Sequence, residues 1–216
     1  MADNWQNIGI FRHRVYPDYS EYLRVQGEKL DRRPGFAARH SEGLVGMIVK
    51  HVGLVKDHLP EGGNVLCLGA RVGGEVQGFI ECGYFAIGID INPGTGNPYV
   101  LHGDFHHLPF PDKCVDIIYT NSLDHVFDME KLLSEIRRVL KPVGFFMTDN
   151  KGGVAEPEMN SARSDGYDCL EWTELAKLVE YIKAYGFMLV AQYQSRGFTP
   201  HGRLFQLVLE QNLMMT

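Results

Sequence analysis

Excess positive charge, paired cysteines and long apolar runs are all missing from this sequence, and each absence closes off a class of function. Its 216 residues carry 21 Lys and Arg against 27 Asp and Glu, a formal net charge of -6. A mildly acidic chain has no global attraction for phosphate backbones or anionic lipid, so neither nucleic acid nor a membrane is expected as a partner. Arg12, Arg14, Arg24, Arg32 and Arg33 gather near the N-terminus and read as solvated surface. Cys67, Cys82, Cys114 and Cys169 form no CxxC pair, and three of them lie in apolar runs, which reads as reduced, buried thiols. No His/Cys/Asp/Glu set has metal-ligand spacing; Asp124, His125 and Asp128 come nearest and are too sparse to define a site, so no metal is expected. There is no charged-then-apolar leader, no apolar run of membrane-spanning length, no internal repeat and no low-complexity tract. A reducing, cytoplasmic setting is expected.

What is present is 44% hydrophobic and 22% charged residues, enough for one full core in one domain. Up to about Lys56 the chain reads as helical, with helices expected over 19–30 and 36–55. After the turn Pro60-Glu61-Gly62-Gly63, strands and helices alternate. Strands are expected at Asn64–Leu68, Phe85–Asp90, 99–102, Val115–Thr120 and 144–148, and helices at Gly74–Glu81 and 129–140, the latter stopped by Lys141-Pro142. A polar loop over 149–168, a helix over 172–185 and strands over 187–193 and 204–210 complete the reading. Alternation of this kind means a parallel sheet covered on both faces. The last two strands have no helix between them, so a hairpin makes the final strand antiparallel. The expected fold is a Rossmann-like, seven-stranded, mostly parallel α/β sheet with extra N-terminal helices. Residues 1–60 form a helical segment packed on a core of residues 61–216.

Three constellations carry chemistry. After the first core strand, Leu68-Gly69-Ala70-Arg71-Val72-Gly73-Gly74 opens a helix, where bare backbone and free N–H groups can receive a ligand. About 20 residues on, the next strand ends in Asp90, the position from which a carboxylate accepts hydrogen bonds from the ribose hydroxyls of an adenosine cofactor. Ile91 follows, and a cap on the turn into Asn92-Pro93-Gly94 is the plainer role for Asp90. The third is Gly103-Asp104-Phe105-His106-His107-Leu108-Pro109-Phe110, and behind it come Asn121-Ser122-Leu123-Asp124-His125 and the helix ending Arg138-Val139-Leu140-Lys141-Pro142.

Taken in this order, residues 64 to about 149 resemble the core of class I S-adenosylmethionine-dependent methyltransferases of the small-molecule type. The resemblance implies methyl transfer to a small acceptor with S-adenosylmethionine as cofactor and S-adenosylhomocysteine as product. It also implies that Gly69, Ala70 and Gly73 hold the methionine part, Asp90 the ribose, and Asp104 and Phe105 the adenine with Ile91 alongside. Asn121 and Ser122 would then lie near the sulfonium. Two positions depart from the family. Cys67 replaces an acid common in the first strand, and Arg71 replaces the middle glycine of the usual loop. Arg71 is suited to the cofactor carboxylate, and Glu75 to its amino group in place of the lost acid, unless the two form only a local pair. Of nine histidines, His125 is the best placed as a general base, should the acceptor need one; an exposed or structural role is the ordinary alternative. The acceptor would sit under the N-terminal helices and under the loops 150–168 and 195–202; Trp5, Phe11, Tyr16, Tyr19 and Tyr22 gather in that N-terminal stretch, where packing against the sheet is their plainer role. A nucleotide-cofactor oxidoreductase of the NAD type would also use the glycine loop and Asp90, but the terminal hairpin and Leu108-Pro109-Phe110 argue against it. The departures at Cys67 and Arg71 keep open a protein that retains the fold without catalysis.

Overall fold

The computed structural model describes residues 4–31, 34–156, 166–196 and 203–212. Its strands are β1 (Trp5–Ile8), β2 (Phe11–Arg14), β3 (Asn64–Leu68), β4 (Phe85–Asp90), β5 (Val100–His102), β6 (Val115–Thr120), β7 (Leu140–Asn150), β8 (Leu170–Trp172), β9 (Phe187–Arg196) and β10 (Arg203–Gln211). The helices are α1 (Tyr19–Asp31), α2 (Pro34–Val55), α3 (Gly74–Glu81), α4 (Met129–Val139) and α5 (Leu175–Ala184). Seven strands make the main sheet in the order β5-β4-β3-β6-β7-β10-β9. Its first five are parallel, and β10 is antiparallel to both of its neighbours. This is the expected Rossmann-like sheet with its terminal hairpin.

Strand periodicity sorts the core into two faces. Val65 and Cys67 of β3 turn toward α2 and α3, where Ile48, Val52, Val76 and Phe79 cover them. Leu66 and Leu68 turn to the opposite face, against α4 and α5, with Leu133, Ile136 and Leu178. Because both faces are covered, the central strands read as unbroken apolar runs. Asp128 caps α4 by accepting from the Lys131 N–H at 2.9 Å. The helix stops at Val139 and β7 begins at once, since Pro142 cannot extend an α-helix.

Three expectations are corrected. The described residues before Tyr19 are not helical: β1 and β2 form a hairpin closed by Gly9 and Ile10, with Gly9 at φ 60. A two-residue loop with a positive-φ glycine is hairpin chemistry, and the period-2 alternation of so short a pair is a weak signal. The hairpin pairs with β8 in a separate three-stranded sheet, so Trp172 opposes Phe11 in a strand and α5 starts only at Leu175. Asp149 and Asn150, expected in a loop, end β7 and are buried. Asp149 is held there by His51 Nδ1 at 3.0 Å and the Tyr119 hydroxyl at 2.6 Å. Much of the expected loops 149–168 and 195–202 lies outside the described residues. The four cysteines are free, Cys67 and Cys169 buried, Cys82 and Cys114 only partly so. Among the described residues, no helix is long and apolar enough to cross a membrane.

The helix pair α2–α3 sets how closely the N-terminal segment approaches the sheet. A Cβ at Gly78 would lie 2.6 Å from the Ile48 Cβ, whereas one at Gly53 of α2 would meet nothing within 4 Å. Gly78→Ala should therefore lower stability by about 1–3 kcal/mol through overpacking. Gly53→Ala should leave stability unchanged or raise it by up to about 1 kcal/mol. Urea midpoints of the two variants, compared with the parent, check this contrast.

Candidate active site

The parallel sheet changes direction of winding between β3 and β6, and the loops leaving their carboxyl ends part there. A cleft of about 530 Å³, its open mouth included, lies at that point. This is within the range of small-molecule sites, roughly 300–1,000 Å³. Its floor is Gly69 and Arg71 after β3, Asp90, Ile91 and Asn92 at the end of β4, Asp104 and Phe105 after β5, and Ser122 and His125 after β6. Its roof is one face of α1, namely Tyr22, Gln26 and Lys29.

Gly69 adopts φ 68, and a Cβ there would stand 2.9 Å from Ser122 Oγ, so the bare backbone keeps the cleft open. Arg71 adopts φ 43, a left-handed conformation that costs a residue other than glycine about 1–2 kcal/mol. The strain is held in place by Asp90, whose Oδ2 accepts from the Arg71 N–H at 2.9 Å while Oδ1 accepts from the Asn92 N–H at 2.8 Å. Burial raises the Asp90 carboxyl above its ordinary value, and these two amides oppose that. Among the described residues no direct ion pair joins Arg71 to Glu75, although the Arg71 charge is near enough to act on the Glu75 carboxyl.

Asp104 is the centre of a closed network. Its Oδ2 accepts from the Tyr19 hydroxyl at 2.5 Å, and its Oδ1 accepts from the His106 N–H at 2.9 Å and from His106 Nδ1 at 3.0 Å. His106 Nε2 in turn accepts from the Asp128 N–H at 3.1 Å, which leaves the imidazole proton on Nδ1. Burial alone would raise Asp104, but hydrogen bonds from His106 and Tyr19 overrule it and hold the carboxyl well below its ordinary value.

Four of the eleven cofactor candidates, Ala70, Gly73, Glu75 and Asn121, stand behind the lining. Gly73 caps α3 with φ 90, and its missing side chain makes room for Tyr99, whose Cβ would be 2.8 Å away. From Ser122 a polar chain runs inward: its Oγ donates to Asn121 Oδ1 at 3.2 Å, and Asn121 Nδ2 donates to Glu75 Oε1 at 3.2 Å. Glu75 Oε2 is buried without a hydrogen-bond partner among the described residues. Burial pushes the Glu75 carboxyl up to about 7, with its own backbone N–H, Arg71 and Asn121 pulling the other way.

His125 does line the cleft, but both of its nitrogens are engaged. Nδ1 donates to the Tyr167 carbonyl at 3.1 Å, so the Nε2 lone pair faces Lys29 Nζ at 3.0 Å. Asp128, grouped with Asp124 and His125 from sequence, is used instead as the α4 cap, and Asp168 takes its place with donor atoms within 4.8 Å of the other two. Lys151 Nζ already lies 3.0 Å from Asp124 and 2.8 Å from Asp168. Burial would lower that ammonium, and the two carboxylates overrule it and keep it charged. Sequence reasoning named Tyr22 among the aromatics over the acceptor and missed Gln26, Lys29 and Asn92 as lining residues. Tyr22, Gln26 and Lys29 recur at intervals of four and three residues, the spacing of one helix face, but which way that face points is a tertiary matter.

The Leu108-Pro109-Phe110 run and the Arg138-Val139-Leu140-Lys141-Pro142 ending prove to be one device. Glu135 accepts from the Leu108 N–H at 2.7 Å, and Arg138 donates to the carbonyls of Leu108 and Phe110 at 2.9 and 2.8 Å. Residues 66–148 match the family described as a methyltransferase domain. The chain carries a class I S-adenosylmethionine-dependent methyltransferase domain. The chain is 32% identical over 170 residues to the sterol 24-C-methyltransferase of Gibberella zeae, a match that covers 67% of the chain and 42% of that protein. It is 32% identical over 113 residues to a malonyl-[acyl-carrier protein] O-methyltransferase of Coxiella burnetii, covering 48% of the chain and 40% of that protein. The chain thus spans about two fifths of the length of these curated relatives. In fold it is similar to the 1,6-didemethyltoxoflavin-N1-methyltransferase of Burkholderia thailandensis, solved with 1,6-didemethyltoxoflavin and S-adenosylhomocysteine. That likeness has a TM-score of 0.71 at 15% identity, over 97% of this chain and 99% of the other.

The orphaned Glu75 oxygen gives the methyltransferase domain a pH signature. Its folded value of about 7 lies above the ordinary 4.5, so the neutral acid suits the fold. That contribution is full below pH 4.5 and is lost as pH rises through 7. Glu75→Gln should therefore be more stable than the parent at pH 8, by on the order of a few kcal/mol, and match it near pH 4.5. Urea unfolding of both proteins at the two pH values decides; a glutamine variant weaker at pH 8 contradicts the assignment.

Proposed function

We propose that the protein transfers a methyl group from S-adenosylmethionine to a small-molecule acceptor. The observation that carries this reading is the convergence of Gly69, Asp90, Asp104, Phe105 and Ser122, from four successive strand ends, on one cleft. In the same reading residues 61–216 are the cofactor-binding core and 1–60 pack on it. A cytoplasmic setting goes with the free thiols, and the net charge of -6 favours a small acceptor over nucleic acid. The related proteins named above are described as acting on a sterol, a malonyl-carrier and a toxoflavin precursor, and as methylating carbon, oxygen and nitrogen. They favour a small acceptor without favouring one atom.

The residues fit the cofactor group by group. Asp90 has a lone pair left on each oxygen for the ribose hydroxyls. Asp104, held anionic, can accept from the adenine amino group between Ile91 and Phe105. Gly69, with Ala70 and Gly73 behind it, leaves the backbone bare for the methionine part. The unpartnered Glu75 oxygen suits an ammonium, and Arg71 a carboxylate. Asn121 and Ser122 would lie toward the sulfonium, which would supply the methyl group when bound. The work of the chain is to align acceptor and methyl group and to exclude water, and α1 supplies the roof that does so. His125 stands as the residue on the acceptor side.

Two measurements test this. S-adenosylmethionine and S-adenosylhomocysteine should raise the melting temperature, and NAD should not; a shift with NAD alone overturns the reading. In calorimetric titrations with S-adenosylhomocysteine, Arg71→Ala and Glu75→Gln should each lose about tenfold in affinity, the worth of one charge-assisted contact. Unchanged affinity in both would remove the two assignments.

A further inference from the structure

Eight buried side-chain polar atoms lack a hydrogen-bond partner among the described residues, and three of them belong to two residues that face each other. Gln206 of β10 stands directly opposite Asp149 of β7. Opposed residues of an antiparallel pair share one face of the sheet. Here it is the face under α2, since the next pair on that face, Met147 and Val208, belongs to the core cluster with Ile48 and Val52. Gln206 is wholly buried and Asp149 is 3% exposed.

The two oxygens of Asp149 have unequal surroundings. Oδ2 takes both donors, His51 Nδ1 at 3.0 Å and the Tyr119 hydroxyl at 2.6 Å, while Oδ1 takes none. Across from it, Nε2 and Oε1 of Gln206 are both unpaired, although Gln206 also faces Tyr193 of β9 in register. An amide and a carboxylate thus meet across a strand pair without bonding each other. Buried polar groups are costly to leave in that condition, and native interiors supply them with a partner.

The unpaired atoms define the partner they need. Asp149 Oδ1 and Gln206 Oε1 each want a donor, and Gln206 Nε2 wants an acceptor. A metal cation offers no acceptor and is repelled by the amide N–H groups, and an anion is repelled by Asp149. An organic ligand has no route to side chains buried this deeply. Water carries two donors and two lone pairs, and a buried water typically makes about three hydrogen bonds. We propose that Asp149 and Gln206 bind a buried water molecule between β7 and β10, beneath α2. It donates to Asp149 Oδ1 and Gln206 Oε1 and accepts from Gln206 Nε2. The hydrogen-bonded line then runs from His51 on α2 and Tyr119 on β6, through Asp149 and the water, to Gln206 on β10. One solvent molecule thereby joins the terminal hairpin to the helix laid over the parallel strands. The site lies outside the lining of the cleft and does not depend on the methyl-transfer reading.

A high-resolution crystal structure of the full chain tests this. An ordered water should stand within about 3.2 Å of Asp149 Oδ1 and of both amide atoms of Gln206. No water there, a direct hydrogen bond between Gln206 and Asp149, or an ion in that position overturns the proposal. Urea unfolding supplies a second reading, because the two conditions of the amide carry opposite signs. Exchanging an unsatisfied buried amide for an apolar chain of similar shape relieves the fold, so Gln206→Met would then raise the urea midpoint. A water-bridged amide is already satisfied, and its removal leaves the water and Asp149 short of a partner, so the Gln206→Met midpoint should fall. A midpoint that rises or stays where it was overturns the proposal.

Discussion

The carboxylate of Asp90 is the constraint on which the cleft depends. It ends β4, yet its oxygens are spent on the backbone of two different loops, taking the Arg71 N–H from the turn after β3 and the Asn92 N–H from its own. The first of these bonds holds Arg71 in a conformation that glycine would adopt without strain. Gly69 and Ala70 beside it are held by their own N–H bonds to the Ile89 carbonyl, at 2.9 and 3.1 Å. A charged group only half exposed is costly unless it is hydrogen-bonded, and here the amides that satisfy it are also the ones that shape the floor.

The roof is tied down by a second polar network rather than by apolar packing alone. Tyr19 bonds Asp104, Asp104 bonds His106, and His106 accepts from the first residue before α4. One turn further on, Tyr22 donates to the His125 carbonyl at 3.1 Å, and Gln26 to the Tyr167 carbonyl at 2.7 Å. Asn92 reaches back to the Gly27 carbonyl at 2.6 Å. Helix α1 thus meets the loops after β4, β5 and β6 through side chains that would be satisfied as well by water. Its seating is stabilised by several modest hydrogen bonds, each worth about 1 kcal/mol, which is the energetic scale of a segment able to open and close.

The main sheet was legible in the sequence because its strands are buried on both faces and punctuated by glycine and proline. Asn64–Leu68, Gly74–Glu81, Phe85–Asp90 and Val115–Thr120 stand as the pattern predicts. The hairpin at Trp5–Arg14 was not legible, since four-residue strands carry too few alternations to outweigh neighbouring helical spacing. Trp172 was assigned to a helix for the same reason: its strand exists only because Phe11, far away in sequence, pairs with it. Within the site, residues at strand ends were found because a strand dictates where its last side chain points. Gln26 and Lys29 were not, because a helix with polar and aromatic residues on several sides does not announce which side faces the sheet. Ala70, Gly73, Glu75 and Asn121 lie outside the lining of the cleft, a distinction that depth makes and spacing does not.

The cleft draws its floor and its roof from separate stretches of chain. The floor comes from the segment that matches the methyltransferase domain, and the roof from residues 19–31 ahead of it. Floor and roof meet through side chains, with Gly27 lending only its backbone carbonyl. Mutations on one face of α1 can therefore reshape the roof of the cleft while the strand ends that make the floor keep their backbone course. Descent with change of substrate then requires no new fold and no new cofactor loop, only a different helix face laid over an old floor.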